Sequence, residues 1–346
     1  MKSRFMRALW MVAVCGMVMA VAARAQSKSA GYRVVSQWKI GGEGGWDYMS
    51  IDPATGELYA TRGKHVLVLN TDTGKVIADI PGFKGTHGVV FDAAGKYGYI
   101  SDGGSNQVAV FDRHSHTVME KVDTEMNPDG LLYEAFTGTV WAFNGSSHSA
   151  TVIDTRSNKV LSTIPLPGKP EFPASDGKGS VFVNIEDKNL LEHLDAKSMK
   201  VLEEWPLAPC ESPSGLAIDA QNEKLFSVCH DKVMAMTDGV SGKVVATATI
   251  GEGPDAAAFD PIRKLVFSSN GEGSLTILHQ DSPTKYSVVA NVPTQRSART
   301  MALDEKTGKV YLVAAEFGPR PAPTAANPHP WPSIVPGSFV VLVVSR

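Results

Sequence analysis

Short apolar runs separated by polar turns extend along most of the chain. The runs are rich in Val, Ile, Leu, Phe and Tyr, and the turns contain Gly, Asp, Asn and Lys. Apolar runs bounded in this way indicate β-strands and hairpins. A helical repeat would need amphipathic runs of about ten residues or more, and the sequence beyond its first 25 residues has none. The pattern therefore predicts an all-β protein.

The strands recur in a repeat of about 42 residues, a period typical of repeat architectures. An acidic residue closes the first strand of each unit, at successive spacings of 40, 42, 42, 43, 41 and 44 residues: Asp52, Asp92, Glu134, Asp176, Asp219, Asp260 and Asp304. A turn before the fourth strand recurs at 72–75, 156–159, 196–199 and 240–243. Seven units of four strands follow from this spacing.

Each unit matches a blade of a β-propeller. One four-stranded antiparallel sheet cannot bury both of its faces, so neighbouring sheets must stack around an axis. The seventh unit lacks a fourth strand, which residues 32–40 can supply by pairing with residues 338–345. We predict a seven-bladed β-propeller that this pairing closes, leaving no open edge at the seam. An eight-bladed ring, or six blades and an extra hairpin, are the alternatives.

The first 25 residues have the layout of a secretory signal peptide. A basic start is followed by an apolar run over 8–23 and by Ala23-Arg24-Ala25, a small-x-small cleavage signature. The alternative is a membrane anchor, but 16 apolar residues fall short of the ~20 that span a bilayer. We expect cleavage after Ala25, a periplasmic or secreted protein without a transmembrane anchor, and a single propeller domain over 26–346.

Composition narrows the class of partner. Apolar residues make up 43% and charged residues 20% of the 346 residues, enough for a large core. The formal net charge of −3 becomes about −7 when the four basic residues of the leader are removed. No basic stripe is left to follow a phosphate backbone, so the sequence predicts no nucleic-acid partner. We expect a monomer.

Several segments resemble a known repeat family. The blocks Val152-Ile153-Asp154, DTGKV (72–76) and GPDA (253–256) resemble the YVTN-type (YncE-like) propeller repeat. Longer strings are similar to an exported bacterial branch of that family: PCESPSGLAID (209–219), SSNGEGSLTILHQDSP (268–283), RTMALD (299–304) and IVPGSFVVLVV (334–344). The resemblance implies a seven-bladed propeller in the cell envelope and no agreed chemistry. The turns at 156–159 and 196–199 depart from the repeat because they lack its glycine.

Propeller geometry predicts where a site would form. The first strand of each blade lines the central channel, so the residues just before it meet at the channel mouth: Asp47, His87, Asp129, Glu171, Ser214, Asp255 and Arg299. The second strand returns to the same rim, and its end brings a further set: Arg62, Asp102, Asn144, Glu186, His230, Asn270 and Glu316. We expect these residues to form one polar, ligand-binding face.

The carboxylates of this face would repel one another unless something compensates their charge. Arg62 and Arg299 could do so by pairing, and a bound divalent cation is the other candidate, since carboxylates and amide oxygens suit hard cations. No local metal motif supports the cation, and no cofactor is expected. Each residue taken alone could instead form a hydrogen bond to loop backbone.

Two cysteines remain after cleavage, in a compartment where a disulfide can persist. Cys210 precedes the first strand of the fifth unit and Cys229 ends its second strand. A bridge between them is the favoured prediction. Two free buried thiols, or a thiolate or metal role together with His230, are the alternatives.

A proline-rich insertion at 316–336 interrupts the last blade. It carries seven prolines together with His329 and Trp331, and prolines favour a stiff extended path. A long insertion in a compact domain is usually functional or disordered. The hypothesis is a lid over the channel mouth that uses His329 and Trp331, and the alternative is a loosely packed surface loop.

Three functions fit these features. The first is a binding or scaffold protein whose mouth takes a protein, a peptide or an envelope ligand, because the sequence has no nucleophile elbow, phosphate loop or haem motif. The second is a lactonase-like hydrolase or lyase in which mouth carboxylates with a cation, or His87 or His230 together with Arg299, polarise a carbonyl. The third is a redox or metal-handling accessory that uses Cys210, Cys229 and His230.

Overall fold

A computed structural model describes residues 31–324, 330 and 332–346. Across these ranges the regular structure is β, apart from two single-turn 3-10 helices at Gly103–Ser105 and Glu186–Lys188. The strands are β1 (Arg33–Lys39), β2 (Met49–Ile51), β3 (Glu57–Thr61), β4 (Gly63–Asn70), β5 (Val76–Phe91), β6 (Tyr97–Asp102), β7 (Gln107–Asp112), β8 (Thr117–Asp123), β9 (Pro128–Glu134), β10 (Thr139–Asn144), β11 (Ser149–Asp154), β12 (Lys159–Pro165), β13 (Pro170–Ser175), β14 (Ser180–Ile185), β15 (Leu190–Asp195), β16 (Lys200–Pro206), β17 (Pro213–Asp219), β18 (Lys224–Cys229), β19 (Val233–Asp238), β20 (Val244–Thr249), β21 (Pro254–Asp260), β22 (Leu265–Asn270), β23 (Ser274–Ser282), β24 (Lys285–Pro293), β25 (Met301–Asp304), β26 (Lys309–Ala314) and β27 (Val340–Ser345).

The strands form antiparallel sheets of four, in the order of the sequence repeat. Four sheets are β9–β12, β13–β16, β17–β20 and β21–β24, and a fifth joins β25, β26 and β27 to β1. The closing pair matches Arg33 with Ser345 and Lys39 with Val340. The predicted pairing of the two ends of the chain is therefore confirmed.

The remaining strands, β2 to β8, form one seven-stranded sheet, where the repeat predicted two separate sheets. The sheet is continuous because β5 is 16 residues long. Its first part pairs with β4 and its last part with β6. The backbone between the two parts stays extended, since Phe83 is buried and the N–H groups of Lys84 and Gly85 both donate to Asp102 Oδ1.

The first strands of successive units touch one another in a closed circuit. The order is β2, β5, β9, β13, β17, β21, β25 and back to β2. Apolar side chains from adjacent sheets fill the space between them. Trp141 and Phe143 of β10, for example, pack in one cluster with Val181 and Val183 of β14. Full burial of one such side chain contributes about 1.5–3 kcal/mol, so stacking of the sheets supplies the main stabilisation.

Every fourth strand carries the same irregularity. One residue has no partner in the ladder, which is a β-bulge, at Val35, Ile77, Met119, Leu161, Leu202, Val245 and Val289. Bulges strengthen strand twist and blunt sheet edges. The outer edges of these sheets are therefore poor templates for pairing with another chain.

Candidate functional site

The structure brings the predicted strand-start residues together at one end of the central channel. Six of them line a cavity of ≈ 210 Å³, and the seventh, His87, lies against Asp47 with 2.6 Å between Nδ1 and Oδ2. The full lining is Asp47, Tyr48, Asp129, Lys169, Glu171, Phe172, Glu186, Ser214, His230, Asp255 and Arg299. The lining is dominated by charged and polar side chains.

Two aromatic side chains of the cavity lining, Tyr48 and Phe172, form a pair across the channel. Tyr48 and Phe172 each follow a strand-start residue, and their rings stack with centroids 4.4 Å apart. Their strands, β2 and β13, are not neighbours in the circuit, so the pair spans the axis. Three other inner strands have glycine here because they approach closely: a Cβ on Gly130, for example, would lie 2.7 Å from the Glu171 carbonyl oxygen, and one on Gly215 2.6 Å from the Ala257 nitrogen.

Three basic side chains compensate part of the negative charge. Arg299 lies 2.9 Å from Asp255, and His87 pairs with Asp47. Lys169, which the sequence analysis missed, bridges Glu171 and Glu186 and is 2.7 Å from the Glu186 carboxylate. Its place in the sequence could have indicated this role, since Lys169 lies two residues before Glu171, just ahead of β13.

Burial and crowding shift the pKa values of the acids at the mouth. Burial, and then the charge of Asp47, raises the pKa of Asp129 to about 7. Burial, and then Asp129, raises the pKa of Glu171 to about 8. Burial also raises the pKa of Asp255, against the opposing effect of Arg299. The cavity therefore retains protons near neutral pH, as expected when carboxyl groups outnumber their counter-ions.

Two basic groups at the mouth stay charged. Burial alone would lower the pKa of His87, but its hydrogen bond with Asp47 and the charge of Asp129 raise it to about 9. Asp255 raises the pKa of Arg299. His87 is therefore an imidazolium at neutral pH.

Among the described residues, three buried side-chain atoms of the cavity lining have no hydrogen-bond partner: the hydroxyl oxygen of Tyr48, Oδ1 of Asp129 and Oδ2 of Asp255. Oδ2 of Asp255 forms an ion pair with Arg299 at 2.9 Å, which leaves the atoms of Tyr48 and Asp129. Burial, and then the charges of Asp129 and Glu171, raises the pKa of Tyr48 well above its usual range. Buried groups are normally paired, so these two atoms mark a place where a ligand could bind.

Only two of the predicted strand-two residues line the cavity, Glu186 and His230. Each comes one residue after its strand, whereas Asp102, Asn144 and Asn270 are the last residues of theirs. This one-residue difference changes the direction of the side chain. The positions equivalent to Glu186 and His230 in those other units are glycines, Gly103, Gly145 and Gly271, so they supply no side chain.

The remaining strand-two residues hold local structure instead. The amides of Asn144 and Asn270 donate to hydroxyls of the next strand, and Asp102 accepts backbone N–H groups. Glu316 is exposed, and its backbone N–H donates to Ser338 Oγ.

Arg62 does not pair with the carboxylates of the mouth, contrary to one of the predicted compensations. It donates to the carbonyl groups of Gly41, Glu43 and Gly44, and its guanidinium lies 3.6 Å from the centroid of Phe339. A glycine-rich turn has few side chains to satisfy its carbonyls, so a buried guanidinium supplies the donors.

The structure joins Cys210 and Cys229 in a disulfide, with their Cα atoms 5.6 Å apart. The bridge fixes the loop before β17 to the end of β18, next to His230. Both residues are buried. The predicted bridge is present, and neither sulfur is a free thiol in this structure.

The two residues named for the predicted lid, His329 and Trp331, lie outside the described residues. The structure therefore describes only part of the insertion. The two ends of the insertion pair with each other: the Gly318 N–H donates to the Ser333 carbonyl, and Phe317 bridges to Ile334. Phe317 also packs against Trp46, with ring centroids 5.9 Å apart. No insertion residue that the structure describes lines the cavity, so the lid stays a prediction.

One group of side chains at the mouth could hold a cation. Ligand atoms of Asp47, His87 and Asp129 all lie within 4.8 Å of one another. Carboxylate oxygens suit hard cations, and the His87 Nδ1 pairs with Asp47. The second ring nitrogen of a histidine can bind a metal while the first keeps a hydrogen bond to a carboxylate, so the donor set is compatible with a cation.

Comparisons with known proteins define the fold. No family model matches the chain, and no curated protein matches its sequence. Among solved structures, RRP9 WD40 repeats give a TM-score of 0.73 at 11% identity, covering 92% of this chain and 98% of that one. U3-55K gives 0.72 at 10% identity over 90% and 98%. Hydrazine synthase from Kuenenia stuttgartiensis gives 0.69 at 16% identity over 78% and 92%.

Identities this low establish the fold alone. Across the described ranges, no helix has the length and apolar character needed to cross a membrane. The chain is a β-propeller with the WD40-like repeat architecture.

Proposed function

We propose that the protein is a non-catalytic binding protein whose ligand enters the cavity at the channel mouth. The observation that carries this proposal is the cavity itself, which Tyr48 and Phe172 help to line and in which two buried atoms, the Tyr48 hydroxyl and Asp129 Oδ1, have no hydrogen-bond partner within the described ranges. Propellers offer such a mouth as a concave site on a rigid scaffold. One of the similar structures, that of the RRP9 WD40 repeats, has a fold that is compatible with a binding role.

A blocking substitution tests the proposal. His230 is exposed and lines the cavity, so His230→Trp should fill the opening without disturbing the core. His279→Trp is the matched control, since His279 is partly exposed and is not among the lining residues. In a thermal-shift screen of small polar compounds, ligands should raise the Tm of the native protein and of His279→Trp but not of His230→Trp. Stabilisation that survives His230→Trp would contradict the proposal.

A second candidate is a lactonase-like hydrolase or lyase with a cation at the mouth. The observation in its favour is the grouping of Asp47, His87 and Asp129. Hydrolysis of a lactone panel that appears with added Ca²⁺ or Zn²⁺ and disappears in Asp129→Asn would favour this candidate. The redox accessory has no such support, because the structure pairs its two cysteines with each other.

We infer that the ring has seven blades and that the chain is an exported member of the YVTN-type repeat. The closed circuit of first strands supports the count, with β5 read as the outer strand of one blade and the inner strand of the next. Mass spectrometry of the protein from an exporting host tests the export: the amino terminus should be Gln26. Size-exclusion chromatography with light scattering tests the expected monomer.

A further inference from the structure

We propose that the mouth cavity binds a small organic cation of the primary ammonium type. The ammonium group would sit at Asp129, and its carbon chain would lie on the Tyr48–Phe172 pair. This inference rests on the proposed binding function and specifies the class of ligand. Four properties of the cavity support it.

The first property is the charge balance. Five carboxyl groups line the cavity, and three basic side chains pair with them. Lys169 forms ion pairs with both Glu171 and Glu186. Arg299 pairs with Asp255, and His87 pairs with Asp47. Asp129 is left with the weakest compensation, since its nearest basic atom is His87 Nδ1 at 3.6 Å. The cavity can therefore take one more positive charge at Asp129, where an ammonium group would replace the retained proton.

The second property is the position of the unpartnered atoms. Oδ1 of Asp129 and the hydroxyl of Tyr48 are both buried without a hydrogen-bond partner among the described residues. The Tyr48 hydroxyl approaches the backbone next to Asp129, since a Cβ on Gly130, the following residue, would be 3.4 Å from the hydroxyl oxygen. An ammonium group has three N–H donors, and both oxygens can accept.

The third property is the aromatic surface. Tyr48 and Phe172 present ring carbon to the same cavity that holds the carboxylates. Ring faces attract organic cations and also bury the attached carbon chain. An anionic ligand would lack the attraction between a cation and the ring faces and would face the excess of carboxylates.

The fourth property separates an organic cation from a metal ion. Ca²⁺ takes about 6–8 oxygen ligands, whereas two of the residues that line this cavity, Tyr48 and Phe172, carry aromatic rings. The grouping of Asp47, His87 and Asp129 offers a metal one ligand atom from each of three residues, far fewer than that number. An ammonium ion needs only hydrogen-bond acceptors, which Asp129 and Tyr48 supply.

The test compares three compounds that share one carbon chain: n-butylammonium, n-butanol and butyrate. Titrations of the mature protein at low ionic strength, followed by NMR, give the Kd for each. We expect n-butylammonium to bind at least about tenfold more tightly than n-butanol, because a charged hydrogen bond is the stronger one. Butyrate should bind more weakly still.

Variants locate the ammonium group. Asp129→Asn keeps the size of the side chain and should weaken n-butylammonium binding by about tenfold or more. Glu171→Gln, a second variant at the same wall, should weaken it as well and covers the case in which Asp129→Asn does not fold. Glu252→Gln is the control, since Glu252 is an exposed acid paired with Lys232 outside the lining set, and it should leave the Kd unchanged.

The outcomes separate this inference from the proposed function. If n-butanol or butyrate binds as tightly as n-butylammonium, and His230→Trp abolishes that binding, the ligand class is wrong and the binding site stands. If Ca²⁺ binds more tightly than n-butylammonium and competes with it, a metal site replaces the organic one. Ammonium binding that neither Asp129→Asn nor Glu171→Gln weakens overturns the inference. If His230→Trp affects no probe, both proposals fail.

Discussion

At the scale of single residues, the burial of charge is the dominant energetic feature. The mouth keeps its carboxylates through basic partners and retained protons, whereas Glu192 has no basic partner among the described residues. This residue of β15 is 1% exposed, and both of its carboxylate oxygens lack a hydrogen-bond partner among the described residues. Burial, and then the charge of Glu204, raises its pKa to about 7. Ionised Glu192 therefore works against the folded state.

Replacing Glu192 with glutamine should stabilise the protein in a pH-dependent way. The folded state raises the pKa from 4.5 to about 7, so wild-type stability is complete below pH 4.5 and falls as the pH rises through 7. That shift corresponds to roughly 3 kcal/mol. Glu192→Gln should match the wild type in urea unfolding at pH 4 and exceed it by up to about this amount at pH 8. Equal stability of the two proteins at pH 8 would show that Glu192 is solvated or paired.

At the scale of elements, each sheet is held by packing on its neighbours, and one hairpin also has a covalent bond. The disulfide between Cys210 and Cys229 links residues 19 apart in sequence and anchors the loop that leads into β17. This loop and the end of β18 carry Ser214 and His230 of the cavity lining. The bridge therefore stabilises the hairpin and positions one part of the mouth.

Removing the bridge should cost measurable stability. The variant Cys210→Ser with Cys229→Ser should lose about 3 kcal/mol of unfolding free energy, the chain-entropy value for a loop of this length. Denaturation of the wild type with and without reductant should show the same loss, and reduction should add about 2 Da because the two sulfurs gain hydrogen. Alkylation of the native protein without reductant would contradict the bridge.

At the scale of the whole molecule, circular closure decides stability. β1 from the amino-terminal end completes the sheet made by β25, β26 and β27 from the carboxy-terminal end. Trp38 of β1 packs on Tyr311 of β26, with ring centroids 5.5 Å apart. Without β1, the ladder groups of β27 and part of the core between the first and last sheets would be exposed.

A truncation tests this closure. A chain that begins at residue 41 lacks β1 and should be far less stable than one that begins at residue 31, with loss of a cooperative thermal transition or aggregation at moderate temperature. A peptide of residues 31–40 added in trans should restore part of the stability if pairing with β27 is the cause. Equal melting of the two truncated chains would show that the ring does not depend on this strand.

The sequence alone determined the repeat, the all-β class and the strand-start residues that meet at the mouth. These features follow from local chemistry: strand length, turn residues and a regular period do not depend on distant contacts. The pairing of the two ends of the chain also followed, because one unit lacked a strand that the other end could supply.

Only the tertiary structure decided which side chains enter the cavity and how their charges are balanced. A shift of one residue separates Glu186 from Asn144, and the sequence pattern does not resolve strand ends that finely. The bridging role of Lys169 and the stack of Tyr48 on Phe172 depend on distances across the ring, which the width of the channel sets. The retained protons depend on burial, which exists only when the inner strands close around the axis.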